Sequence, residues 1–73
     1  MARRSVRSPT SGIVSIVHKK PGDAVAAEEE IIFIECMKME IPVVADHAGH
    51  LAAIHVKPGD TVAEDQVLAV IEG

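Results

Sequence analysis

The sequence predicts an all-β protein: a flattened β-barrel or sandwich of two four-stranded antiparallel sheets with internal pseudo-twofold symmetry. Three observations predict it. Apolar runs are only four to six residues long, rich in Val and Ile, and broken by Gly, Pro or Asp, which is the pattern of many short strands. Phe33 is the single large aromatic, so the core has to be built from Val, Ile, Leu and Ala. The chain also repeats itself at an offset of 37 residues, and internal repeats of this size mark a structural unit written more than once.

The offset needs no gap. Val6 falls on Val43, Gly12 on Gly49, Val25-Ala26 on Val62-Ala63, and Ile34-Glu35 on Ile71-Glu72. The run His18-Lys19-Lys20-Pro21-Gly22-Asp23 falls on His55-Val56-Lys57-Pro58-Gly59-Asp60. Each half then reads as four elements in order. A first strand lies around Val6 and at 41–44. A turn containing Gly12 or Gly49 leads to a second strand at 13–17 and 51–56. Lys-Pro-Gly-Asp makes a turn, with Pro fixing φ and Gly free to take φ > 0. A very short strand at Val25 or Val62 and an acidic turn precede the last strand, at 31–35 and 67–72. In the second strand, Val14 and Val17 align with Leu51 and Ile54. A spacing of three breaks the period of two, so a bulge is expected there. Beyond it Val56 aligns with Lys19, which belongs at a frayed end or along the surface with its stem covered. One repeat cannot bury its apolar face alone. Two copies can cover each other as packed sheets, so residues 1–73 read as one domain.

Composition excludes several classes. A net charge of −4 argues against a nucleic-acid surface. No apolar run approaches the roughly 18 residues of a membrane span, and none resembles a secretory core. Arg3, Arg4 and Arg7 are not read as a transit peptide, because Val6 and Pro9 already belong to the repeat. The cytoplasm is the expected compartment. One cysteine forms no internal disulfide, and the histidines lack zinc-finger spacing. Beginning with Met1 and ending just past the last repeat strand, the sequence is compatible with a free-standing protein.

The junction of the halves has no copy elsewhere. Strands on both sides leave almost no residues between them, which implies a tight hairpin with Met37-Lys38 at its centre. Two-residue hairpin turns prefer Asn-Gly, since a type I′ turn needs φ > 0 at both positions. Met-Lys suits that turn poorly, which suggests that these residues are kept for another reason. The turn puts a primary amine on a stiff tip between two flexible, polarisable methionines. On composition and spacing alone, Met37 and Met39 also fit the edge of the core, and Lys38 an ordinary surface lysine.

The segment Glu35-Cys36-Met37-Lys38-Met39-Glu40 resembles the E-A-M-K-M attachment motif of biotinyl domains. The resemblance extends to Ser8-Pro9-Thr10-Ser11-Gly12-Ile13-Val14 and both K-P-G-D-x-V turns, and so covers essentially the whole chain. It implies a barrel-sandwich hybrid fold and a biotin carboxyl carrier without catalytic residues or metal. Lys38 would take covalent biotin from a biotin protein ligase. An ammonium has no lone pair, so the ligase has to help deprotonate it. The loaded arm would serve a biotin carboxylase and a carboxyltransferase. Met37 and Met39 would orient the lysine and be read by the ligase, with Glu35 and Glu40 assisting or simply solvated. Two departures stand out. Cys36 replaces the usual Ala, and Glu28 replaces the usual Gly of the acidic turn. A Glu at φ > 0 costs roughly 1 kcal/mol, so that turn is expected to take another shape. The short turn at 19–22 leaves no room for the protruding thumb of some bacterial acetyl-CoA carboxylase carriers. Three rivals remain: a lipoyl domain, whose lysine typically follows Asp; a catalytic thiol at Cys36 served by His47 or His50, or a metal at those two histidines; and an unmodified structural module that binds partners.

Overall fold

The computed structural model describes residues 3–73, so the first two residues of the expected domain lie outside the described part. It contains eight strands: β1 (Arg3–Arg7), β2 (Gly12–Val17), β3 (Ala24–Val25), β4 (Glu30–Cys36), β5 (Met39–Val44), β6 (Gly49–Ile54), β7 (Thr61–Val62) and β8 (Val67–Glu72). They form two four-stranded antiparallel sheets, ordered β1-β8-β6-β3 and β5-β4-β2-β7. The predicted all-β, two-sheet fold is the observed one. Among the described residues, no helix is long and apolar enough to cross a membrane.

The sheets are not one per repeat. β1 and β3 of the first repeat flank β8 and β6 of the second, while β5 and β7 of the second flank β4 and β2 of the first. Each repeat thus lends its two outer strands to the other's sheet. Backbone hydrogen bonds lock the exchange. The Gly22 N–H donates to the Leu51 carbonyl at 2.8 Å, and its repeat mate, the Gly59 N–H, donates to the Val14 carbonyl at 2.8 Å. Each Pro-Gly-Asp turn therefore clips onto the second strand of the other repeat. Both glycines take the positive φ expected, +97° and +96°. The Asp that follows accepts the Lys20 or Lys57 N–H at 3.0 Å.

The interior is aliphatic, as the composition required. Val14, Ile31, Ile32, Ile34, Leu51, Leu68 and Ile71 are all essentially fully buried, each contributing roughly 1.5–3 kcal/mol. The expected bulges are present. Register shifts between Val14 and Ile16 in β2, and between Leu51 and Ala53 in β6. Lys19 lies along the surface, its ammonium 2.8 Å from the Glu29 carboxylate, while its mate Val56 is buried. The second strand of the second repeat runs Gly49–Ile54 rather than 51–56, because pairing with β8 stops at Ile54 opposite Ala69.

Two local expectations are corrected. Gly12 and Gly49 do not sit in turns; they open β2 and β6. What excludes a side chain is close approach. A Cβ on Gly12 would lie 2.4 Å from the Glu35 carbonyl oxygen, and one on Gly49 would lie 2.6 Å from that of Glu72. The acidic turn also keeps its left-handed shape. Glu28 takes φ 66° and its mate Asp65 φ 70°. The reason is the hydrogen bonding on offer: the Glu28 N–H donates to Ala45 O at 2.6 Å and the Asp65 N–H to Ser8 O at 2.8 Å. These bonds tie the turn to the other half and offset a strain of about 1 kcal/mol.

The molecule is elongated, 36 × 17 × 17 Å, and its ends are distinct. Arg3 pairs with Glu72 at one end. β1 leads away from there, and residues 8–11 carry the chain to Gly12 beside Glu35. The β4–β5 hairpin therefore projects from the end opposite the described chain ends.

Two measurements check this account. Gly12→Ala should destabilise by about 2 kcal/mol or more in urea unfolding, since strand backbone has to move. Gly22→Ala should cost only about 1 kcal/mol, because nothing lies within 4 Å of its Cβ and backbone strain alone acts.

The second concerns acid. Lys19 holds the Glu29 carboxyl below its ordinary value, chiefly through their hydrogen-bonded ion pair, assisted by the Ala26 N–H. A carboxyl depressed on folding stabilises above its ordinary pKa, and that share is lost as pH falls through the folded value. The Gln66 mate keeps the corresponding bond, to the Ala63 N–H at 2.9 Å. Glu29→Gln should therefore keep the turn and lose only the ion pair. Its stability deficit against wild type should shrink as pH falls from about 7 to about 3 in thermal melts.

Candidate functional site

β4 and β5 pair through Glu35 opposite Glu40 and Cys36 opposite Met39, leaving Met37 and Lys38 as a two-residue loop. Both loop residues have positive φ, 53° and 65°, the signature of a type I′ turn. This is the geometry the spacing required and the residues disfavour. The two positions together cost roughly 2 kcal/mol against an Asn-Gly turn. Met37 is 90% exposed, Met39 60%, and Lys38 is exposed. Two large apolar side chains thus stand in water around a primary amine, without a part in the core.

The neck below the tip is stiff. Gly12 lets β2 press against the β4 backbone at Glu35. The Thr10 hydroxyl lies 3.6 Å from the Cys36 sulfur. Ser8, the buried polar side chain of the segment, donates to the Thr10 carbonyl. Among the described residues this segment braces the hairpin from the side, a role that sequence reading did not assign to the Ser8–Gly12 run.

Glu35 and Glu40 face each other across the strands, and like charges in that position are destabilising. At the repeat-equivalent position, Glu72 faces Arg3 and forms an ion pair at 3.0 Å. The fold thus accommodates an attractive pair there, and the hairpin carries a repulsive one. Glu40 is partly engaged, because its carboxylate accepts the Ser15 hydroxyl at 3.0 Å.

The remaining reactive side chains do not join this site. β5 leads away from the hairpin for six residues, roughly 20 Å, before the chain reaches His47 and His50. His50 pairs with Glu72 at the far end, and His47 bonds Asp46 at 2.7 Å. The thiol of Cys36 and these imidazoles therefore lie at opposite ends, which removes the thiol–imidazole pair. Among the described residues, no three His, Cys, Asp or Glu side chains converge on a metal position. His18 packs edge-on against Phe33 with ring centroids 5.2 Å apart, a structural contact.

Residues 4–72 match the Biotin_lipoyl family model, described as "Biotin-requiring enzyme". The chain belongs to the biotin/lipoyl attachment family. A mitochondrial propionyl-CoA carboxylase alpha chain from Homo sapiens is 50% identical over 44 residues, 60% of this chain and 6% of that protein. The urea carboxylase of Kluyveromyces lactis superposes with a TM-score of 0.92 at 32% identity, covering 99% of this chain and 6% of that one. The lipoyl domain of the Azotobacter vinelandii 2-oxoglutarate dehydrogenase complex superposes at 0.73 with 38% identity, over 88% of this chain and 81% of that domain. The chain thus spans a small fraction of its carboxylase relatives and most of the length of one lipoyl domain. Membership of the biotin/lipoyl family accounts for the two interlocked sheets.

The turn itself offers a test. Replacing Met37→Asn together with Lys38→Gly should raise stability by about 1–2 kcal/mol in urea unfolding. No change would mean that the tip is not strained.

Proposed function

We propose that this chain is a biotin carboxyl carrier domain, not catalytic by itself, with Lys38 as its attachment residue. The observation that carries the reading is an exposed lysine between two exposed methionines, on a type I′ turn whose residues are wrong for the turn. The carboxylase relatives support biotin as the group.

The site fits that use. Lys38 is exposed at the tip, so a biotin protein ligase can draw its amine into its own active site and take its proton. Met37 and Met39 give the ligase two polarisable handles at fixed spacing on either side of the nucleophile. Glu35 and Glu40 add negative charge at the neck, where a basic ligase surface would meet it. Once attached, biotin supplies the ureido nitrogen that takes up and releases a carboxyl group. The protein's part is to hold the arm on a stiff tip, away from its own surface, and to keep its local concentration high at the active sites it visits. A biotin carboxylase and a carboxyltransferase are the partners. We assign the protein to the cytoplasm, which can hold ligase and ATP together.

The 38% identity to a lipoyl domain keeps lipoylation as the second reading. It is set lower because Met37 stands where the lipoyl motif typically has Asp.

Intact-protein mass after co-expression with a biotin protein ligase decides between them. The wild type should gain one biotinyl group and bind streptavidin, and Lys38→Arg should gain none. A lipoyl adduct on Lys38 without biotin would overturn the assignment. No modification in the presence of competent ligase would favour an unmodified interaction module.

A further inference from the structure

The 37-residue repeat provides an internal comparison for each residue. Repeat mates occupy equivalent places in the fold, so the fold makes the same demand of both. Where mates differ sharply on an exposed face, the difference answers to something outside the fold.

The outer faces of the two sheets differ in this way. On the hairpin-bearing sheet, Ile16, Phe33 and Pro42 form one row across β2, β4 and β5. Their mates on the other sheet are Ala53, Val70 and Ser5, which form the equivalent row. Ile13 and Val44, exposed at 48% and 41%, correspond to His50 and Arg7. One face is thus lined by large apolar side chains, partly exposed, and the other has smaller side chains in its central row with His50 and Arg7 outside it.

Charge divides along the same line. Glu30, Glu35 and Glu40 lie on β4 and β5, and no Lys or Arg occurs in any strand of that sheet. The equivalent positions are Val67, Glu72 and Arg3. The hairpin-bearing face is therefore an apolar patch rimmed by carboxylates.

We propose that this face is a docking surface for the biotin-dependent carboxylase that uses the arm, which meets it with an apolar patch ringed by Lys or Arg. The inference rests on the carrier reading above. Charge selects the partner's chemistry: a carboxylate rim around an apolar centre complements a basic rim and opposes a second copy of the same face. Position selects the partner's role. Val44 lies at the far end of β5 from the tip, roughly 17 Å along the strand, so a protein seated there leaves Lys38 free to swing. That suits the enzyme that works on the loaded arm. A ligase has to enclose the tip.

The repeat also supplies variants the fold already tolerates. Ile13→His, Ile16→Ala and Val44→Arg each install the repeat mate. The biotinylated triple variant and wild type would be compared as substrates of the carboxylase assembly purified from native cells. The KM for the carrier should rise about tenfold or more, with kcat, ligase loading and the urea midpoint close to wild type. Turnover with free biotin provides the enzyme's control. Glu30→Gln should raise KM about two- to threefold and flatten its salt dependence.

An unchanged KM would overturn the proposal. A parallel fall in ligase loading would assign the face to the ligase, and self-association of the wild type lost in the variant would assign it to a second copy; either also overturns it. If the triple variant unfolds, Ile16→Ala alone decides by the same KM criterion. Failure of the wild type to accept biotin would instead sink the carrier reading, so the two failures are distinguishable.

Discussion

A repeat of four short strands has one apolar face and too little chain to cover it. Everything else in this molecule follows from how that face is covered. Each repeat gives its outer strands to the other's sheet, and each Pro-Gly-Asp turn donates a hydrogen bond to the other repeat's second strand. Burial and hydrogen bonding then depend on both halves at once. With Phe33 the lone large aromatic, and only partly buried, stability rests on packed aliphatic side chains, while Gly12 and Gly49 let neighbouring strands of one sheet approach closely.

The same exchange explains why a tip with poor turn residues can persist. A two-residue loop between paired strands has its backbone geometry imposed from below. Gly12 against Glu35, and Thr10 beside Cys36, hold the neck from the side. Met37 and Lys38 are therefore held at positive φ by the strands rather than by their own preference. Glycine would relieve the strain, but it offers neither an amine nor a surface to grip. The cost at the tip is local and small beside the aliphatic core.

Much of this was legible in the sequence, for a physical reason. A gapless repeat constrains register, so the bulges at Val14 and Leu51, the glycine turns and the hairpin at Met37-Lys38 could be placed from spacing alone. Features that depend on the other repeat were not legible. Gly12 looked like a turn glycine because the Glu35 carbonyl that excludes its side chain lies 23 positions away. Glu28 looked too strained for φ > 0 because the Ala45 carbonyl that rewards that conformation belongs to the second half. The apolar outer face was hidden for a third reason. Composition assigned Val and Ile to the core without telling one position from another, and only strand pairing shows Ile13, Ile16 and Val44 pointing away from the other sheet.

The repeat also separates what the fold requires from what it merely permits. Mates that match, such as Gly22 and Gly59 or Asp23 and Asp60, satisfy the backbone. Mates of like shape and different chemistry, such as Glu29 and Gln66, show which atoms the turn needs: both place a side-chain oxygen on the N–H three residues back, so charge there is dispensable to the turn. Mates that conflict are the informative class. Glu35 opposite Glu40 repels where Glu72 opposite Arg3 attracts, although both pairs occupy the same position in the fold. The repulsive pair stands at the base of the strained tip, on the same sheet as the exposed apolar row. Strain, like-charge repulsion and exposed aliphatic surface each cost stability, and all three gather at one end and one face of the molecule. For the like-charge pair and the exposed aliphatic surface, the other half solves the same positions without those costs, so the fold has no need of either. The tip has no counterpart there, and its strain follows from the two-residue connection that joins the halves.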